Sequence, residues 1–197
     1  MLRIGLTGSI ATGKSTVLAV FAASGIPTFS SDEAVHRLYE GAAVEPIEQL
    51  FPGVTTGGKV DRERLAKQVL GAPDKLRQLE ALVHPLVRAE IADFFARAEH
   101  DGAPLAVVDV PLLFENGFDY GLDVIVVTAV DVAEQRRRAL ARPGMTVEKL
   151  DAILARQMPQ AEKKRRATHV IDTGASMEKT QSDVRSLIEQ LKAQAAT

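Results

Sequence analysis

The chain has no cysteine, which excludes disulfides, thiol nucleophiles and thiolate-bound zinc. That absence fits a reducing compartment, and the expectation is a cytoplasmic protein. No stretch approaches the roughly 20 apolar residues that cross a bilayer. The opening Met1-Leu2-Arg3-Ile4 runs into glycine, not into the basic-then-apolar pattern of a secretory leader. No membrane association is expected. Charge of one sign is also missing: 24 Lys and Arg against 26 Asp and Glu leave −2 at pH 7, so nothing general favours a nucleic-acid partner. Asparagine is almost absent. Its one occurrence, Asn116, precedes Gly117, and no D-x-x-G occurs, so the N-K-x-D reader of guanine is missing.

What is present fits one sizeable domain. Leu2 to Thr7 is an apolar run ahead of glycine and reads as a buried strand. Ser15 to Ala23 reads as a helix stopped by Ser24-Gly25, Ile26 to Ser30 as a second strand, and Asp32 to Tyr39 as the start of another helix. From Gly41 to Asp101 no convincing strand appears. Helices are expected over Asp61 to Leu70 and Ala72 to Ala98, the second kinked or interrupted at Pro85. Leu105 to Val110 and Asp123 to Val130 are continuous apolar runs, the mark of strands covered on both faces. Helices over Val132 to Ala141 and Thr146 to Met158 flank an Arg142-Pro143-Gly144 break. A short strand, Thr168 to Asp172, and a terminal amphipathic helix complete the chain. Strands alternating with helices imply an α/β fold around a parallel sheet of five strands.

The first strand and helix are joined by Gly8-Ser9-Ile10-Ala11-Thr12-Gly13-Lys14-Ser15, followed by Thr16, which fits G-x-x-x-x-G-K-[ST]. Gly8 and Gly13 permit backbone shapes closed to other residues, so successive N–H groups can gather around a phosphate at a helix N-terminus. Lys14 adds a full positive charge for the β and γ phosphates, and the Ser15 hydroxyl can ligate Mg²⁺. The expected ligand is a nucleoside triphosphate. The loop alone does not separate a kinase from a GTP switch or a transport ATPase.

A kinase needs a metal-side acid, a base near the acceptor and arginines that offset charge on the moving phosphoryl group. Asp109 closes an apolar strand at the usual ligand edge of a parallel sheet and can hold Mg²⁺ through water; alternatively it is a turn-forming aspartate. Asp32 follows the second strand and can accept a hydroxyl proton, or else it caps the next helix. Arg138 and Arg142 beside the Pro143-Gly144 break can close over phosphate. Arg136, Arg137 and the run Lys163-Lys164-Arg165-Arg166 read instead as solvated surface.

Taken in order, these residues resemble the dephospho-CoA kinase family. The resemblance is carried by Gly5-Leu6-Thr7-Gly8 with Gly13-Lys14-Ser15-Thr16, by Asp61-Arg62-x-x-Leu65, and by His84-Pro85-Leu86-Val87. It continues through Asp109-Val110-Pro111-Leu112-Leu113-Phe114-Glu115, Gln135-x-x-Arg138-x-x-x-Arg142, Gln157-Met158-Pro159 and Val170-Ile171-Asp172. It implies a three-layer P-loop core (1–40, 102–134 and 160–197), a helical acceptor domain (41–101) and a lid (135–159). It further implies ATP and Mg²⁺, with dephospho-CoA as the small-molecule partner of a monomer or weak homo-oligomer. On the same ground Asp32 becomes the base, and Arg62, His84, Phe114 and Glu115 fall near the acceptor. The chain departs from the family at Ser30, where the first acid of a D-x-D is usual, and at Ile153, where many members carry a lid arginine. Another small-molecule kinase and an ATP-dependent switch protein are the alternative readings.

Overall fold

The computed structural model describes residues 1–196. The chain divides into two compact units, Ser30–Phe94 on the one hand and Met1–Phe29 with everything from Phe95 onward on the other.

The larger unit is built on a five-stranded sheet. β1 (Leu2–Gly8) is central and pairs in parallel with β5 (Leu105–Asp109) on one side and β6 (Val124–Ala129) on the other. β6 pairs in parallel with β7 (His169–Asp172), and β2 (Thr28–Ser30) lies outside β5, giving the order β2-β5-β1-β6-β7. Every residue of β5 is buried, which explains why its sequence is a run of Leu, Ala and Val with no alternation. Helices α1 (Lys14–Ala23) and α9 (Met177–Ala195) pack on the sheet: α1 supplies Val17 and Phe21, and α9 supplies Val184, Ile188 and Leu191, all to one core with Ile4, Leu6 and Val126. Each such side chain contributes about 1.5–3 kcal/mol on burial.

The register aligns the carboxyl ends of the central strands. Leu6 stands beside Asp109 and Gly8 beside Thr128, while Ala129 pairs with Asp172. Polar residues that end an apolar strand are thereby collected along one edge. α6 (Val132–Leu140), α7 (Val147–Arg156) and α8 (Gln160–Arg166) follow β6. The helix expected to reach Met158 ends at Arg156, because Pro159 caps a separate α8.

The smaller unit contains α2 (Ser31–Leu38), α3 (Val44–Leu50), α4 (Arg62–Val69) and most of α5 (Pro73–His100). One expectation is corrected here. A short antiparallel ribbon, β3 (Thr55–Thr56) with β4 (Lys59–Val60), does form where no strand is expected. Gly57 and Gly58 both have positive φ, 59° and 76°, the two-residue turn that matches strand twist, and they form the hairpin tip. Pro85 lies inside α5 without ending it. Loss of its N–H donor costs ~3 kcal/mol. Burial of Leu79, Val83, Val87 and Ile91 along one face outweighs that loss.

Candidate active site

The glycine-rich loop leaves β1 and enters α1 with its N-cap, Gly13, in the left-handed region at φ 81°. A side chain at Gly13 would stand 3.1 Å from Thr173, and one at Gly8 would sit 2.1 Å from the Thr128 hydroxyl and 2.6 Å from that of Thr12. These glycines are therefore fixed by close approach as well as by conformation. Ala11 is the one non-glycine residue with positive φ among the described residues, at 61°. Such backbone strain persists only where the surroundings hold it.

Those surroundings are polar and internally bonded. The Thr12 hydroxyl donates to the Ser9 carbonyl at 2.8 Å and shares a hydrogen bond with the Thr128 hydroxyl. Thr173 donates its hydroxyl to the Thr12 carbonyl at 2.9 Å. The Ile10 peptide is held on both sides: its N–H donates to Gln157 Oε1 at 3.0 Å, and its carbonyl accepts from Gln135 Nε2 at 2.8 Å. Gln160 in turn donates to Gln135 Oε1 at 2.7 Å. Gln135 and Gln157 stand in motifs that carry the family resemblance, although no role is expected of them; nothing in the sequence singles out Gln160.

Lys14 points at the sheet edge and forms an ion pair with Asp109, whose side chain is nearly buried at the end of β5. A carboxylate in that position keeps the ammonium poised where it is. Ser15, in the first turn of α1, is exposed. Gly13, Ser15, Thr16, Arg138, Arg142 and Thr173 border one cavity of about 390 Å³, closed also by Ala11, Ala175, Met177 and Thr180.

The two arginines of that cavity are not equivalent. Arg138 donates to Glu134 Oε1 at 2.7 Å and to the Thr173 carbonyl at 2.8 Å. Hydrogen bonds from Arg137 and then Arg138 hold the Glu134 carboxyl down to about 2. Arg142 is exposed and its guanidinium has no ion pair among the described residues. Arg137 is exposed and paired to Glu134, as expected of solvated surface, whereas Arg136 bridges α6 to Asp151 of α7 at 2.8 Å. The helices α6 and α7 also meet the loop through apolar contacts, with Ala11, Ala139 and Leu150 buried together beside Ile10.

The expectation for Lys163-Lys164-Arg165-Arg166 is corrected in one position. Lys163 is fully buried and forms an ion pair with Glu115 at 2.8 Å; Lys164, Arg165 and Arg166 are exposed. Glu115 Oε1 also accepts from the Met158 N–H at 2.7 Å, so its carboxylate is already engaged. Phe114 beside it is half-buried in the loop after β5.

In the smaller unit, the α2 cap is Ser30, whose hydroxyl accepts from the Glu33 N–H at 3.3 Å. Asp32 is thus released from the capping role the sequence allowed it, and its carboxylate is exposed in the first turn. Arg62 opens α4 above the Tyr39 ring at 5.8 Å, behind the cap Asp61. Burial raises the Tyr39 pKa, and the nearby Arg62 partly opposes it. His84 is half-buried on α5 one residue before Pro85.

Against known proteins, the family model for dephospho-CoA kinase matches residues 2–179. The chain is 50% identical over 189 residues to a dephospho-CoA kinase of Rhodopseudomonas palustris, covering 96% of this chain and 95% of that one. It is 47% identical over 193 residues to the dephospho-CoA kinase of Rhizobium meliloti, covering 98% and 100%. A solved structure from Thermus thermophilus superposes with a TM-score of 0.82 at 37% identity, covering 96% of this chain and 97% of the other. With loop, sheet edge and arginines arranged as above and a match running through all of them, the chain belongs to the dephospho-CoA kinase family.

Proposed function

We propose that the protein transfers the γ-phosphate of ATP to the ribose 3′-hydroxyl of dephospho-CoA, the closing step of coenzyme A synthesis. The observation that carries this reading is the shared cavity: Gly13, Ser15 and Thr16 at the end of the phosphate loop line one space with Arg138 and Arg142 in a chain of this family.

The loop amides and Lys14 bind the triphosphate, with Lys14 leaving Asp109 for the phosphate oxygens. The acceptor oxygen attacks in line; its bond to phosphorus forms as the bond to the β–γ bridging oxygen breaks, and ADP departs. Asp32, solvated and unused as a cap, takes the hydroxyl proton. Arg142 offsets charge on the transferring group, and Arg138 lines the same space from a fixed position. Residues 135–159 serve as the lid, and Arg62, His84 and Phe114 contribute to the acceptor site.

The residues present fit a Mg²⁺ ion. Ser15 offers an exposed hydroxyl at the loop end, and Asp109 offers a nearly buried carboxylate at the end of β5. Ser15 would hold the ion and Asp109 would do so through water, and the ion's chemistry there would be to offset the negative charge of the phosphates. No cluster of three acidic or histidine ligands exists among the described residues, as suits an ion held largely by the nucleotide's own oxygens.

The decisive assay offers dephospho-CoA, nucleoside monophosphates and nucleosides side by side with ATP, and follows ADP release. Turnover with dephospho-CoA alone is expected. Preference for a nucleoside or nucleotide would overturn the acceptor, and slow ATP hydrolysis indifferent to any acceptor would point to a switch protein.

A further inference from the structure

Lys163 is a charged side chain with no exposed surface, and the mechanism has no use for it. Its one ion-pair partner is Glu115, on the loop after β5. The pair is poorly satisfied: Glu115 Oε2 and Lys163 Nζ are both buried without a well-directed hydrogen bond. Two charges taken out of water and left in that condition recover little of their desolvation cost, and an apolar pair of equal volume would stabilise the fold as well or better. Stability therefore does not explain the pair; location does.

Glu115 grips the chain at two points on one short segment. It accepts from the Met158 N–H at 2.7 Å and pairs with Lys163 one turn into α8. Between those points lies Gln160, and immediately before them Gln157. These are the side chains that hold the Ile10 peptide, Gln157 directly on its N–H and Gln160 through Gln135 on its carbonyl. Ile10 lies inside the phosphate loop, next to the strained Ala11.

We infer that the Glu115–Lys163 ion pair is a positioning device for the phosphate loop. It fixes the start of α8 against the loop after β5, so that Gln157 and Gln160 keep the Ile10 peptide in its phosphate-binding conformation. Glu115 then acts on the nucleotide, through protein, and not on the acceptor. This rests on the reading of Gly8–Ser15 as the ATP site.

The test replaces the pair by Glu115→Gln with Lys163→Met, which keeps volume and leaves an acceptor for the Met158 N–H. Calorimetry with Mg²⁺ and a non-hydrolysable ATP analogue is run beside steady-state kinetics and thermal melting. The double variant is expected to melt at or above the temperature of the unsubstituted protein. It should bind the analogue at least about fivefold more weakly, with a raised KM for ATP and an unchanged KM for the acceptor. Adding Gln157→Ala should cost little more than Gln157→Ala alone, because the pair acts through that residue. Unchanged analogue affinity overturns the inference, as do fully additive losses. So does a raised acceptor KM with ATP affinity intact. If the unsubstituted protein fails to bind the analogue, the ATP reading itself falls, and the inference with it.

Discussion

At the carboxyl edge of the sheet, the polar side chains around the phosphate loop are bonded to one another before any ligand arrives. Thr12, Thr128, Thr173 and the three glutamines are spoken for, and Lys14 rests on Asp109. In the helical unit 30–94, the charged residues expected to meet the acceptor stand exposed on first helical turns, behind caps made by their neighbours. Ser30 serves α2 and leaves Asp32 open; Asp61 serves α4 and leaves Arg62 open. The cost of order therefore falls at different moments in the two regions. A loop that must present amides to a triphosphate gains from being organised in advance. An acceptor site with solvated charges orders its side chains when substrate binds, which costs affinity.

The strongest blow to that division would come from Asp32→Asn. The substitution touches only an exposed carboxylate, so binding of Mg-ATP by calorimetry should be retained while kcat falls about a hundredfold or more. Loss of ATP affinity in parallel would mean the two regions are not separable in this way. Arg142→Ala comes next. An unpaired guanidinium facing the cavity is expected to contribute about 2 kcal/mol to the transition state, roughly thirtyfold in kcat/KM, with no change in melting temperature. Arg138→Ala should lower both, because it also strips a donor from the Thr173 carbonyl. Equal behaviour of the two arginines would erase the distinction between a fixed and an open one.

Gly8→Ala tests the organised region by itself. Its new methyl would meet the hydroxyls of Thr128 and Thr12, two short side chains that are hydrogen-bonded to each other and cannot swing clear. Overpacking of this kind costs about 1–3 kcal/mol, readable as a drop in urea midpoint. Normal stability would show that the loop yields more easily than its bonding implies.

Much of the organised region could be read in the sequence. Apolar runs ending in Gly8 and Asp109 gave two central strands and their ligand edge, since strands buried on both faces leave a strong signal. The unread parts share a cause. Gln160 acts through partners distant in sequence, the role of Gln157 depends on the equally distant Ile10, and Lys163 sits in a run whose other members are solvated, so composition misleads there. Ser30 shows the reverse case. The resemblance leads to the expectation of an acid there, and the structure shows that the Ser30 hydroxyl caps α2. The hairpin at Gly57-Gly58 leaves no signal because its two strands are two residues each, too short for an apolar pattern.

The smallest effect sought lies at Glu134, which links the fixed arginine to solvent. Its carboxyl is held at about 2, below the ordinary value near 4.3, by hydrogen bonds from Arg137 and Arg138. A depressed carboxylate contributes stability that is fully present above its unfolded value and is lost as pH falls through the folded one. The gap in urea midpoint between the protein and its Glu134→Gln variant should therefore be constant from pH 5 upward and narrow between about 4 and about 2. Because Glu134 is only half-buried and its partner Arg137 is exposed, solvent screens the interaction and that gap is expected to be small even at neutral pH. Above pH 5 the charge on Glu134 does not change, so Arg138 stays fixed across the range where turnover is measured, and the pH–rate profile of the variant should keep its shape. A profile that shifts in Glu134→Gln would mean that Arg138 moves during catalysis, joining Arg142 as a mobile group.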